Sequence, residues 1–112
     1  MKINYLASPY TKSPFFNYEA VCWFLAQDSK LNYFSPIVHW HWTAIKYHLP
    51  LTVEKYREYN AEMQSRCDML SVLCLPGWER SIGVNYELDL AEQLGQNILY
   101  LPYEGPKQFP VC

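Results

Sequence analysis

The sequence predicts an α/β fold: a three-layer sandwich around a small parallel sheet of four to five strands, flavodoxin-like or Rossmann-like. Three observations predict it. Short β-favouring runs alternate with stretches of helical apolar spacing in the order β-α-β-α-β-α-β, which calls for right-handed crossovers. "DMLSVLCL" (68–75) is a continuous apolar run bounded by a charge and by Pro-Gly, the pattern of a strand buried on both faces at a sheet centre. Finally, 112 residues, half of them apolar, suffice for one core but not two, so residues 1–112 are expected to form one domain.

Taken in order, "INYLAS" (3–8) is a first strand ending at Ser8-Pro9, and "SPYTKSP" (8–14) is a Ser/Pro/Thr-rich loop. From Phe15 to about Gln27, Phe16, Ala20, Trp23 and Phe24 recur at helical spacing. "LNYFSPIV" (31–38) reads as the second strand, closed by Ser35-Pro36. "HWHWTAIKYHLPLT" (39–52) reads as an irregular aromatic segment in which Pro50 breaks any helix. With Thr52 as N-cap, Val53, Tyr56, Asn60, Met63 and Cys67 then form one helix face, so Asn60 interrupts an apolar stripe and needs a hydrogen bond or a ligand. After the central strand, 81–94 is a helix with Val84, Leu88, Ala91 and Leu94 inward, ended by Gly95. "NILYLPY" (97–103) is a last strand, and the proline-bearing tail wraps the surface.

Composition removes several functions. Net charge is −2, the pI is about 5.9, and no basic run exists, which excludes a phosphate-tracking surface for polymeric nucleic acid. No apolar run has the length of a membrane span, and the N-terminus lacks the apolar core of a signal peptide, so a cytoplasmic protein without a membrane partner is expected. Cys22, Cys67, Cys74 and Cys112 show neither CxxC nor zinc spacing and read as reduced thiols. Cys67 has no histidine nearby in sequence to activate it. His39, His41 and His48 resemble a metal site weakly, with i and i+2 sharing a face if the segment is extended, but no carboxylate partners them. No metal and no cofactor is expected. Ten tyrosines and four tryptophans exceed a minimal core and suit a ligand pocket or a subunit interface as well as they suit core filling. Trp40 and Trp42 could serve either end.

In such sheets ligands sit beyond the carboxyl ends of the strands. The loops at 8–14, 36–50 and 76–83 all leave carboxyl ends, so chemistry is sought there. Within "SIGVNYE" (81–87), Ser81 is a helix N-cap and Gly83 bares the first turn, a setting for an anion such as phosphate. Glu87 lies four residues beyond Gly83 on the same face and could act as nucleophile or base on a small molecule held there. A plain capping motif with a packing glycine and a solvated glutamate is the competing reading. Asp68 opens the central strand at the opposite end, which favours a structural role.

"NYLASPY", "RCDMLSVLCLPGWERSIGVNYE" and the spacing Ala91-x3-Gly95-x2-Ile98 together resemble the nucleoside 2-deoxyribosyltransferase-like superfamily. The S-x-G-V-x-Y-E form is closest to the 2′-deoxynucleoside 5′-phosphate N-hydrolases and small bacterial or phage relatives. The resemblance spans most of residues 3–101 and is specific around 68–91. It implies cleavage or transfer of an N-glycosidic bond of a nucleotide or nucleoside, with Glu87 as the nucleophile attacking the anomeric carbon. It also implies that Tyr5 contacts that glutamate, that Ser81 binds a 5′-phosphate, and that Ser8, Tyr10 and Thr11 line the pocket beside Gly83. Relatives are oligomers, so a homodimer or larger assembly is implied. The relatives' proton-donating aspartate falls eight residues before Asp68, and here that position is Asn60. Asparagine can hold a base but cannot deliver a proton as a carboxylic acid does. Glu62 lies on the wrong helix face to replace it, while His39 and His41 are conceivable substitutes. The alternative function is therefore a non-catalytic nucleotide-binding or regulatory module on the same fold. A third reading is an interaction protein with an exposed aromatic patch.

Overall fold

A computed structural model of the chain describes residues 1–27, 32–51 and 53–110, the side chains of Val53 and Glu54 excepted. Strand β1 (Ile3–Ala7) and strand β3 (Met69–Cys74) are apolar on both faces, and that composition puts them side by side in the middle of the sheet. They pair in parallel, Asn4 through Ala7 opposite Met69 through Val72. Strand β2 (Asn32–Phe34) flanks β1 and strand β4 (Asn97–Pro102) flanks β3, giving a four-stranded parallel sheet of order β2-β1-β3-β4.

Strand alternation divides the core. Tyr5, Ala7, Leu70 and Val72 face Val84 and Ala91 of helix α4 (Ile82–Leu94) and Met63 of helix α3 (Val53–Ser65). Leu6, Leu73 and Leu75 face Ala20 and Val21 of helix α1 (Pro14–Gln27) and Ile37 of helix α2 (Pro36–Lys46). Phe109 of the tail packs on that second side, against Phe16. The result is the expected three-layer α/β sandwich. Because the chain leaves β1 toward one edge and β3 toward the other, a crevice opens between the carboxyl ends of those two strands.

The segment 36–50 departs from expectation. Residues 36–46 form helix α2, and strand β2 stops at Phe34. The Ser35-Pro36 pair is a helix start: the Ser35 Oγ accepts from the Val38 amide at 3.2 Å, and Pro36 occupies the first helical turn, where no amide is needed. Pro50 lies beyond the helix and breaks nothing. On a helix, His39 and His41 point to different sides, which removes the shared-face basis for a metal pair. Two smaller corrections concern helix ends. Cys67 lies past the end of α3, and Leu94, in the last turn of α4, is exposed. The expected cap Thr52, the start of the second strand at Leu31 and Cys112 fall outside the described residues. Among the described residues no helix is long and apolar enough to cross a membrane.

Helix α4 is delimited as the sequence suggests. The Ser81 hydroxyl accepts from the Val84 amide at 3.2 Å, and Gly95, at φ 70°, closes the last turn with bonds from its own amide and that of Gln96 back to Glu92 and Ala91. A pair of amide side chains then ties this helix to its neighbour. Gln64 of α3 is fully buried, and its Nε2 donates to the Glu87 carbonyl at 2.8 Å and to Gln96 Oε1 at 3.3 Å. In return Gln96 Nε2 donates to the carbonyls of Gln64 and Cys67 at 2.9 and 3.0 Å. Asp68 does structural work of the same kind, its Oδ2 accepting from the Ile3 amide at 2.7 Å to hold the start of β1.

Replacing Gln64 by Leu, similar in size and without hydrogen bonds, leaves the Glu87 carbonyl and Gln96 Oε1 without their Gln64 donor. Unfolding in urea is expected to show a loss of about 1–3 kcal/mol with an unchanged slope. An unchanged midpoint would show that the amide clamp contributes nothing.

Candidate functional site

The crevice beyond β1 and β3 deepens into a cleft between the helix layers. Its enclosed part measures about 80 Å³, room for several waters or for part of a small molecule that extends out through the mouth. The loop after β1 contributes Ser8, Tyr10 and Thr11. Helix α4 contributes Ser81, Gly83, Tyr86 and Glu87 from its first turns. Helix α3 adds Tyr56, Arg57, Asn60 and Gln64, and helix α2 adds Ile37, Trp40 and His41. Seven of the eight residues singled out in the sequence thus share one wall or another of this cleft. Tyr5 is not on its surface: it is fully buried in the sheet, behind Glu87.

Glu87 is the chemical focus. Its side chain descends from α4 toward the sheet and loses water to the surrounding protein, which pushes its carboxyl up to about 8, the nearby Tyr5 hydroxyl opposing the shift only in part. The Tyr5 phenol is driven well above its ordinary range, by burial first and by the Glu87 charge second. The two groups are close enough to perturb each other, although no hydrogen bond of regular geometry joins them. At neutral pH the carboxyl is consequently mostly neutral in the free protein.

Two polar features share the cleft with Glu87. The first is the amino end of α4, which opens at Ser81 and Gly83, where amide donors and the positive end of the helix dipole gather. Ser8 Oγ, buried and without a partner, lines the cleft beside them. Asn60 of α3 is the second. The Trp40 indole N–H can only donate, and it donates to Asn60 Oδ1 at 3.3 Å, which leaves the Asn60 amide hydrogens for a guest. Arg57, one turn earlier on α3, carries its guanidinium over the Tyr86 ring at 4.6 Å from the centroid.

The histidines separate cleanly. His41 is buried at the cleft, with Nδ1 2.6 Å from the Tyr10 hydroxyl. His39 is exposed and stacks on Tyr59, and His48 follows the end of α2 in a turn at φ 55°. Trp42 is exposed, so of the two tryptophans only Trp40 reaches the cleft. Glu62 faces outward and pairs with Arg66. Among the described residues no three His, Cys, Asp or Glu side chains group to hold a metal ion.

Comparison with protein families matches residues 26–102, more than two thirds of the chain, to the domain of unknown function DUF1937. The chain belongs to the DUF1937 family. No curated protein matches it. The DUF1937 match takes in His41, Asn60, Ser81, Gly83 and Glu87, whereas Tyr5, Ser8, Tyr10 and Thr11 precede it.

Sequence reasoning passed over Arg57, Gln64 and Tyr86, and it set Tyr56 on the inward stripe of α3 without assigning it to the site. Tyr56, Arg57 and Gln64 lie four and three residues before Asn60 and four after it, so helical spacing from Asn60 was the available signal. Tyr86 has the same relation to Gly83, three residues on.

The raised carboxyl has a consequence for stability. Between the ordinary value of 4.5 and about 8, the folded protein keeps a Glu87 proton that the unfolded chain has released. Stability therefore falls as pH rises across that window, by up to about 1.4 kcal/mol per pH unit, and levels off above it. Glu87→Gln removes this dependence. Its melting temperature relative to wild type is expected to be near level at pH 5 and to gain progressively toward pH 9. A constant difference at all pH values would show that Glu87 titrates normally.

Proposed function

We propose that this protein cleaves, or transfers, the N-glycosidic bond of a 2′-deoxynucleoside 5′-monophosphate, with Glu87 as the nucleophile. One observation carries the reading: a desolvated carboxyl shares a cleft with a bare helix amino end and an unpartnered buried serine hydroxyl. A nucleotide has the matching order of parts, with an anion, a sugar carrying an electrophilic carbon, and a flat polar base. The resemblance to the deoxyribosyltransferase-like superfamily supports the same assignment, with Glu87, Ser81 and Gly83 at the positions of its motif.

In this reading the 5′-phosphate docks on the amides behind Ser81 and Gly83 and on Ser8 Oγ, with Thr11 at the mouth. That anchor brings the deoxyribose over the next turn of α4, where Glu87 stands. The bond from C1′ to the base nitrogen lengthens, positive charge grows on the sugar, and the ionised Glu87 stabilises it and closes to a glycosyl ester. Water, or a second base, then attacks C1′ and frees the carboxylate. Asn60 holds the departing base through its free amide hydrogens, beside the aromatic faces of Trp40 and Tyr56.

Incubation with a panel of 2′-deoxynucleoside 5′-monophosphates is expected to release free base, followed by chromatography, and Glu87→Ala to abolish the release. Absence of release from every nucleotide and nucleoside, with or without an acceptor base, would sink the proposal. Ser81→Asp keeps a competent helix cap while placing a negative charge at the phosphate pole. It is expected to raise KM for monophosphates at least tenfold and to spare nucleosides.

A second reading, a nucleotide-binding module without turnover, is favoured by Asn60 standing where relatives carry an acid. Asn60→Asp separates the two. A rise in kcat of about 10²-fold or more marks a slowed enzyme, and no rise combined with ligand-induced thermal stabilisation marks a binding module.

A further inference from the structure

The cleft holds a hydrogen-bonded pair, half-buried Tyr10 and buried His41, that the reaction above leaves unused. Tyr10 leaves β1 on the first loop, and its hydroxyl lies 2.6 Å from Nδ1 of His41, on the inner side of α2. Both residues line the cleft with Asn60 and Glu87. His41 is 1% exposed. Its ring stacks on Tyr18 at 4.1 Å and 13°, while Phe15 and Trp42 meet it edge to face at 5.5 and 5.1 Å.

A histidine that merely fills a core ordinarily has both ring nitrogens satisfied. Here Nε2 is buried with no partner, and the other nitrogen is committed to a hydroxyl on the cleft wall. Burial, the larger influence, favours the neutral ring, and two neighbours offset it in part. The Tyr18 face lies parallel to the ring, where it can stabilise an imidazolium, and the Glu19 carboxylate favours the same form.

We propose that Tyr10 and His41 form the proton relay for the leaving base, replacing the carboxylic acid that position 60 lacks. The proposal rests on the N-glycosidic reading above and deepens it. As the bond from C1′ to the base breaks, its electron pair goes to the base nitrogen, which takes the Tyr10 hydroxyl proton. Tyr10 is replenished from the His41 Nδ1–H, and His41 becomes neutral. When water attacks C1′ of the Glu87 ester, its proton returns through Tyr10 to His41 Nδ1, and the oxygen stays on the sugar. Tyr10 is the catalytic residue of the pair, and His41 is a positioning and proton-holding residue behind it.

The pair and Glu87 share a proton inventory. Burial pushes Glu87 up to about 8 and pushes His41 down from 6.5, so near neutrality the free protein keeps the proton on Glu87. The reacting arrangement places it on His41 and leaves Glu87 ionised. Tyr10, itself pushed up to about 12 by burial and by Tyr56, stays a hydroxyl throughout this range. The other charged or titratable groups facing the relay are Tyr18 and Glu19 on α1 and Tyr56 and Arg57 on α3.

The test compares the wild type with Tyr10→Phe and His41→Asn on two leaving groups. With natural monophosphates, wild-type kcat/KM is expected to be bell-shaped in pH, with limbs below 6.5 and near 8. Both variants are expected to lose about 10²–10⁴-fold, and His41→Asn to show a residual rate that rises through pH 8 to a plateau. With p-nitrophenyl 2-deoxyriboside 5-phosphate, whose phenolate departs without a proton, kcat/KM of both variants, which reports departure of the leaving group, is expected to stay within about threefold of wild type, while kcat falls because the water step still uses the relay. Equal losses of kcat/KM on both leaving groups, or a wild-type profile that rises to a plateau, would overturn the relay while leaving Glu87 catalysis standing. Absence of base release by folded wild type overturns both proposals. If the buried His41→Asn change prevents folding, Tyr10→Phe, which deletes one oxygen, decides the matter alone.

Discussion

The parallel pairing of β1 with β3 is the constraint on which the molecule depends. These are the strands buried on both faces, and their register sets Tyr5 beside Leu70 under helix α4. The same pairing creates the cleft, because the chain turns outward in opposite directions from the two strand ends. Had β1 taken the sheet edge, the Ser8–Tyr10 loop and the start of α4 would not meet. Stability and site therefore come from one juxtaposition, and the Gln64–Gln96 clamp extends it by fastening α3 to the Glu87 turn of α4.

Around that juxtaposition the protein accepts a local cost. A carboxyl over a sheet that otherwise buries Tyr5, Leu70 and Val72 is held near neutral by desolvation, and the Tyr5 hydroxyl relieves this little. Ser8 Oγ and His41 Nε2 add buried polar atoms without partners along the same walls. Native cores satisfy nearly all such groups, and their clustering at one cleft is part of what supports the proposed small-molecule site.

The aromatic excess has a comparable logic. Tyr10, Phe15, Tyr18 and Trp42 surround His41, while Trp40, Tyr56 and Tyr59 form a second group on the α2–α3 side, with His39 stacked outside it. Large rigid rings build the walls that a short chain could not build from aliphatic residues alone. They bury little of α2 in the sheet core, where only Ile37 joins the main cluster. Residues 36–46 do carry apolar side chains at helical spacing, but Ser35-Pro36 reads equally well as a strand end, and on that reading the segment continues as strand and loop.

What the sequence by itself determined is local or follows from patterning. The doubly buried run at 68–75, the alternation of strands and helices, the Ser81 cap with Gly95 as stop, and the phase that sets Gly83, Glu87 and Asn60 on inward faces are all written in residue order. Each depends on propensity, capping or the period of the element, which act over a few residues. Only the tertiary structure decided that Ser35-Pro36 begins a helix, because a serine-proline pair ends a strand or starts a helix with equal ease until the next turn finds its packing. It alone brought His41 against Tyr10, 31 residues away, turned His39 outward and placed Tyr56, Arg57 and Tyr86 on the cleft. It also raised the Glu87 carboxyl, since desolvation comes from atoms that are distant in sequence and meet only when the helices close over the sheet.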